Sequence, residues 1–320
     1  MGELRWDPTR QEWVIIAPHR MKRPVLPKNF CPFCPGAPEV KDDKWDVLVL
    51  DNKYASLSNV SAFKVEELDG LTKKATNYGQ CKVVIYSPEH DVELHEFDIN
   101  HIVKIIKTWQ NCYQQLSKDP LIRYVFIFEN RGRLIGVTLE HPHCQIYAFP
   151  YIPPLIKKEI VASRRFFELF RSCIFCKIVS WFKDKHSELI VYENQNFLVF
   201  VPYWAHLPLE THIYPKRHFQ NILQMNNSEV VDFAKALKVI RMKYDKIFGF
   251  KLPYMMVFHQ SPVNSGDYPF YHFHIEFYPL HRAKDKIKYL AGVEIGAGTF
   301  INPSSPEEYA ENLRNINVEV

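Results

Sequence analysis

The sequence predicts an α+β protein built from two tandem copies of one unit, each an antiparallel sheet carrying one long helix. Three observations carry that reading. Two CxxC pairs, "CPFC" at Cys31 and Cys34 and "CIFC" at Cys173 and Cys176, fall in different halves of the chain. Each is followed by a strand-like run ending in a proline and a histidine, "CKVVIYSPEH" to His90 and "ETHIYPKRH" to His218. Each half then closes on an H-x-H run, with His141 and His143 in "EHPHCQIYAFP" and His272 and His274 in "YHFHIEFYP". Recurrence of a whole pattern marks an internal duplication, which divides the chain into halves at 1–165 and 166–320.

The elements follow from local pattern. "DINHIVKIIKTWQNCYQQLSKD" begins at an Asp or Asn cap and repeats apolar residues at helical spacing, and "NSEVVDFAKALKVIRMKYDKIF" does the same in the second half. "KVVIYS", "RYVFIFE", "ELIVYE", "FLVFVP" and "THIYP" are short, rich in β-branched and aromatic residues and bounded by turn formers, so they read as strands. "YIPPLIKKEIVASRRFFELFRSC" bridges the halves as a helix starting near Pro154.

With 320 residues, 47% of them hydrophobic, the chain buries one large core or two ordinary ones. Its net charge of +4 comes from 40 basic and 36 acidic residues that are interspersed, which argues against a nucleic-acid surface. The opening "MGELRWDPTRQEW" lacks a signal-peptide core, and no stretch approaches the ~20 apolar residues of a membrane span, so a cytoplasmic protein with no membrane partner is expected. Seven cysteines then read as thiols or metal ligands, with Cys81, Cys112 and Cys144 as buried thiols.

A CxxC knuckle joined at long range by two histidines supplies the four donors of a closed, structural Zn²⁺ site. The first set is Cys31, Cys34, His90 and His141; the second is Cys173, Cys176, His218 and His272. Buried thiols beside unrelated histidines are the plainer alternative, weakened by the recurrence. With His141 engaged as a ligand, His143 is left free one pleat along the same strand face. Neutral imidazole is a good nucleophile toward phosphorus. Gln145, next on that face, can donate a hydrogen bond to a phosphoryl oxygen without carrying a proton to a leaving group.

"HPHCQI" resembles the H-P-H-x-Q signature of the galactose-1-phosphate uridylyltransferases, the transferase branch of the histidine triad superfamily. "RWDPTRQEWVIIAPHRMKR" resembles that family's opening, "FCPFCPG" its zinc knuckle, "VLDNKYASL" its nucleotide loop, "FENRG" its phosphate strand and "VPYWAHLPLETHIYPKRH" its second half. The resemblance implies two histidine-triad-like repeats whose sheets join across a pseudo-two-fold. It implies uridylylation of His143, zinc on Cys31, Cys34, His90 and His141, and Gln145 steadying the α-phosphate. It also implies Asn52, Asn130, Gly136 and Thr138 around nucleotide and phosphates, Arg20 and Arg23 near the phosphates, UDP-hexose and hexose 1-phosphate as substrates, and a homodimer.

Departures from the pattern matter equally. The family's second metal site takes a glutamate and three histidines; here Glu159, His259 and His274 match, but Glu276 replaces the last imidazole. Cys173, Cys176, His218 and His272 form a competing set that resembles the second zinc of ADP-glucose phosphorylase relatives, and we favour it, with iron at a second site as the other outcome. In "AGVEIGAGTFINPSSPEE", Val293 and Phe300 replace a family tyrosine and a family glutamine, which leaves the sugar open. Three functions compete: UMP exchange between UDP-glucose and galactose 1-phosphate, a nucleoside diphosphate sugar phosphorylase with the same His143 intermediate, and a non-catalytic zinc-knuckle module. A carboxylate at 276, where Gln145 stands in the first half, repels a nucleotide phosphate. One nucleotidyl group per chain is therefore expected, on His143 and not on His274. Peptide mapping of labelled protein under alkaline conditions checks this, and label in the peptide Tyr271 to Pro279 would overturn it.

Overall fold

The computed structural model describes residues 2–23, 30–40 and 44–320. Its strands are β1 (Glu3–Asp7), β2 (Glu12–Ile16), β3 (Leu48–Asp51), β4 (Val65–Leu68), β5 (Thr72–Thr76), β6 (Gln80–Ile85), β7 (Tyr124–Arg131) and β8 (His143–Phe149) in the first half. The second half has β9 (Ile190–Glu193), β10 (Phe197–Phe200), β11 (Thr211–Pro215), β12 (Tyr254–His259) and β13 (His274–Pro279), then the small pair β14 (His281–Ala283) and β15 (Lys286–Ile287). The α-helices are α1 (Ile99–Ser117), α2 (Pro154–Phe170), α3 (Ile174–Lys185), α4 (Asn227–Phe248) and α5 (Pro306–Arg314).

Nine strands form one sheet in the order β3-β6-β8-β7-β12-β13-β11-β10-β9, so the expected junction of the two halves is a continuous ladder. β7 and β12 meet antiparallel at that seam, with Tyr254 opposite Arg131 and Val257 opposite Phe128. Outward from it, β8 pairs with β7 as β13 pairs with β12, and β6 pairs with β8 as β11 pairs with β13. Alternation along β7 buries Val125, Ile127, Glu129 and Arg131, leaving Phe126, Phe128 and Asn130 partly open on the other face.

The buried face is covered by α1 and α4, which pack side by side. In α1, Ile102, Ile105, Ile106, Trp109, Tyr113 and Leu116 recur every three or four residues and are buried together. Asp98 caps it by accepting from the His101 N–H at 2.8 Å. Asn226 and Glu229 form a capping box on α4, and Gly249 ends that helix in the left-handed region at φ 74°.

Two charged pairs bolt α4 to β7. The Arg241 guanidinium donates to both carboxylate oxygens of Glu129, at 3.0 and 2.8 Å, and Arg131 donates to both of Asp245, at 2.6 and 2.7 Å. Tyr254 adds a third hydrogen bond to Glu129 at 3.1 Å, and Tyr86 a fourth. Burial raises the Glu129 pKa, but Arg241 beside it outweighs burial and holds the carboxyl below its usual range.

Two features escape the sequence pattern. A four-stranded sheet, β2-β1-β5-β4, stands apart from the main one; "VEEL" is charged and mostly exposed and "TKKAT" is charged and half-buried, so they lack the apolar alternation that marks a strand. The second CxxC pair opens a helix, with Cys173 at the N-cap of α3. Arg241 and Glu129 are both buried, so Arg241→Leu leaves a carboxylate stranded and is expected to cost about 3–5 kcal/mol in urea unfolding. A loss below about 1 kcal/mol would show that the pair does not hold the halves together.

Candidate active site and metal-binding knuckles

The first cysteine pair lies in turns beside the start of β8. Cys31 Sγ and Cys34 Sγ each stand 3.7 Å from His141 Nδ1, and Cys34 Sγ stands 3.4 Å from His90 Nδ1. In the second half, Cys173 Sγ and Cys176 Sγ stand 4.0 and 3.5 Å from His272 Nδ1, and Cys176 Sγ stands 3.5 Å from His218 Nδ1. The two imidazoles of each knuckle meet with centroids 5.1 Å apart and planes at 88°, the same in both halves.

These spacings match the donor separation of about 3.5 Å that tetrahedral thiolate–imidazole coordination requires. The outer nitrogens agree: His141 Nε2 donates to the Ser87 carbonyl at 2.7 Å and His272 Nε2 to the Pro215 carbonyl at 3.0 Å. A carbonyl only accepts, so each Nδ1 turns its lone pair toward the thiols. Burial drops the His141 pKa to about 4 and raises that of Cys31 to about 11. The imidazole is therefore ready to ligate, and the thiol needs a cation to ionise. Both sets fit a zinc-class ion.

His143 opens β8. Its Nδ1–H donates to the His141 carbonyl at 2.8 Å, which fixes the tautomer and leaves the Nε2 lone pair free. Burial lowers its pKa, so the ring stays neutral, and Phe33 of the knuckle packs edge-on against it at 5.2 Å. The regular strand starts here and not at His141 because the intervening Pro142 has no N–H for the ladder. A cavity of about 400 Å³ opens at His143, with Asn130, Gly132, Arg133 and Leu139 among its walls. Gly132 takes φ 86°, and a Cβ there would meet Pro253 at 2.8 Å, so only glycine admits this approach.

Other expected residues gather nearby. Asn52 Nδ2 donates to Gln145 Oε1 at 3.3 Å. Arg20 Nη1 reaches the Tyr54 carbonyl at 3.1 Å and the Tyr147 hydroxyl at 3.2 Å. Arg23 and Thr138 line a second cavity of about 250 Å³ with Lys53 and Tyr54. Thr138 Oγ1 is buried without a hydrogen-bond partner among the described residues, so it is available to a ligand. Gly136 lines neither cavity; at φ 79° it caps the turn Arg133–Ile135 and shapes the loop.

The carboxylate–imidazole set, weighed in the sequence as a competitor to the second cysteine set, is assembled alongside it. Ligand atoms of Glu159, His259, His274 and Glu276 all lie within 4.8 Å of one another. His272 serves the knuckle and His274, two residues on, serves this cluster, so one strand end supplies both. Glu159 Oε1 accepts from His259 Nδ1 at 2.9 Å, while Glu276 stands 3.6 Å from His259 Nε2 and 3.5 Å from His274 Nε2. Burial lowers the His259 pKa, but the two carboxylates outweigh it and lift the value to about 9. His212, missed in the sequence, lies across the ladder from Glu276 and donates to the buried Glu210 at 2.9 Å. Its signal was available: it alternates with Tyr214 in "THIYP".

Fold and sites together define a class: tandem repeats that share one sheet, each mounting an H-x-H strand over a cysteine–histidine knuckle. Two family models, "Galactose-1-phosphate uridyl transferase, N-terminal domain" and its C-terminal counterpart, match residues 2–153 and 170–320. The chain belongs to the galactose-1-phosphate uridyl transferase family. It is 42% identical over 322 residues to the galactose-1-phosphate uridylyltransferase of Thermotoga maritima, covering 100% of each chain. Among solved structures it resembles a uridylyltransferase at TM-score 0.89 and 36% identity, over 98% of this chain and 97% of that one. It also resembles an ADP-glucose phosphorylase from Arabidopsis thaliana with bound ADP-glucose, at TM-score 0.77 and 28% identity, over 99% and 100%.

His141→Ala is expected to lose one metal equivalent and to lower the thermal midpoint by several degrees, whereas His143→Ala keeps both. Cys173→Ser should remove one further equivalent. Elemental analysis of protein purified without added metal checks this, and unchanged zinc in either ligand variant would remove the knuckle assignment.

Proposed function

We propose that the chain exchanges UMP between UDP-glucose and galactose 1-phosphate through a covalent nucleotidyl intermediate on His143. The observation that carries this reading is the bond from His143 Nδ1–H to the His141 carbonyl, which turns the Nε2 lone pair to the cleft. Nε2 attacks the α-phosphorus of the nucleotide sugar, and the bond to the bridging oxygen breaks. Hexose 1-phosphate leaves with that electron pair as a phosphate monoester, so no general acid is needed. A phosphate oxygen of the incoming hexose 1-phosphate then attacks phosphorus, and the P–N bond breaks to return neutral Nε2. Gln145 donates to the phosphoryl oxygens, with Thr138, Asn130, Arg20 and Arg23 around them.

Cys31, Cys34, His90 and His141 would hold one zinc, and Cys173, Cys176, His218 and His272 a second; each closes a structural site. The ligand His141 also presents the carbonyl that orients His143, so the knuckle holds the nucleophile's mount rigid. Glu159, His259, His274 and Glu276 form a third cluster that this reading leaves out of the chemistry.

The finer setting is read from other features. All seven cysteines are free, as expected in a reducing cytoplasm, and no helix among the described residues is long and apolar enough to cross a membrane. Exposed Leu169, Phe170 and Ile295 rim a cavity of about 990 Å³, which supports a homodimer.

Incubation with UDP-glucose is expected to add one UMP mass to the intact protein, and galactose 1-phosphate to discharge it. His143→Ala should slow transfer more than about a thousandfold. An adduct formed from ADP-glucose and discharged by inorganic phosphate would select the phosphorylase reading instead, which the second cysteine set favours. No adduct with either sugar nucleotide would leave the knuckle-module reading.

A further inference from the structure

β8 carries, two residues beyond Gln145, a tyrosine for which the H-P-H-x-Q pattern has no place. The Tyr147 hydroxyl stands 3.5 Å from Gln145 Oε1, the oxygen that also accepts from Asn52 Nδ2 at 3.3 Å. Behind it, Arg20 Nη1 donates to the phenolic oxygen at 3.2 Å. The hydroxyl therefore accepts from the guanidinium and turns its own proton toward Gln145. The ring is set by an edge-on contact with Phe128, at 5.1 Å between centroids.

A carboxamide is an acceptor at one end and a double donor at the other. With Oε1 taken by two donors, Nε2 is the end left for a ligand, and it makes no hydrogen bond to the described residues. The flipped amide would set its carbonyl oxygen against anionic phosphoryl oxygens, a repulsive contact.

The duplication supplies an internal comparison. In the second half Tyr278 stands two residues beyond Glu276, and its hydroxyl donates to that carboxylate. A tyrosine at the same offset holds the same strand position in both halves, although the residue it holds has changed from amide to carboxylate.

We propose that Tyr147, backed by Arg20, is a positioning residue that fixes the Gln145 carboxamide with its N–H groups toward the phosphoryl group. The proposal rests on nucleotidyl transfer to His143. Its contact with Gln145 is long in the free protein, as hydrogen bonds at such sites often are before a ligand draws them together.

Single-turnover formation of the His143 adduct from UDP-glucose, followed by intact mass, tests it in Tyr147→Phe, Gln145→Ala and the double variant. Tyr147→Phe is expected to slow the first turnover about 3- to 10-fold, the range for one hydrogen bond, with KM nearly unchanged. In the Gln145→Ala background the same substitution should cost less than about twofold, because the group it orients is gone. Equal losses in both backgrounds, or no loss in either, would overturn the proposal. Should Tyr147→Phe fail to fold, Tyr147→Met, which removes the hydroxyl with an apolar side chain, must show the same dependence on Gln145. A wild-type protein that forms no adduct refutes the transfer reading itself, which separates that failure from this one.

Discussion

The β7–β12 ladder is the constraint on which the rest of the molecule depends. It turns two small sheets into one of nine strands, and it does so with a polar underside. Glu129 and Arg131 on β7 point into the core and are met there by Arg241 and Asp245 of α4, each pair bidentate. A buried guanidinium–carboxylate pair adds little net stability compared with apolar packing, but a shifted register would leave its buried charges unpaired at a cost of about 3–5 kcal/mol. The seam therefore specifies how the halves meet. Glu129, Asn130 and Arg131 of β7 all reach the wall of the His143 cavity, so the register that forms these pairs also shapes the site.

Duplication copied the scaffold more faithfully than the chemistry. His143 and His274 each donate Nδ1–H to the carbonyl two residues before, at 2.8 and 2.9 Å, and each follows a knuckle of matching geometry. The first imidazole shares its cavity with Asn130 and with carboxylates that are each answered by an arginine, Glu93 by Arg131, Glu129 by Arg241 and Glu140 by Arg133. The second is surrounded by Glu276, Glu159 and Glu210 with His212 and His259 between them, a cluster that attracts cations and repels phosphates.

Much of this was legible in the sequence because the residues concerned have few other uses. Paired cysteines with distant histidines imply a knuckle whatever the fold, and α1 and α4 announce themselves through a cap and a three-four apolar repeat; the second helix starts one residue from its cap, Asn226. What stayed hidden depends on spatial neighbours. α3 begins at a cysteine already assigned to metal. β4 and β5 of the N-terminal sheet carry charges where an apolar alternation would mark a strand, and a sequence pattern finds strands by burial. The carboxylate cluster and the second knuckle looked like rivals for one site because sequence spacing does not show that His272 and His274 serve different neighbours. Tyr147 does not stand out in the sequence, because an aromatic in an apolar strand is ordinarily core.

The seam also has a consequence for synthesis on the ribosome. Glu129 finds its partner Arg241 only 112 positions later in the chain, which at about 5–20 residues per second is a wait of roughly 5 to 20 s. The first knuckle closes well before that, since His141 follows Cys31 by 110 positions and both precede α2. During the interval the nascent first half is a sheet whose β7 edge is unpaired and whose underside carries Glu129 and Arg131 without their α4 partners, Arg131 facing only Glu93. An open edge is the usual template for wrong strand pairing, and the charges that will later bolt the halves together keep that edge hydrated in the meantime. The buried pairs of the finished protein are thus solubilising groups for its unfinished one.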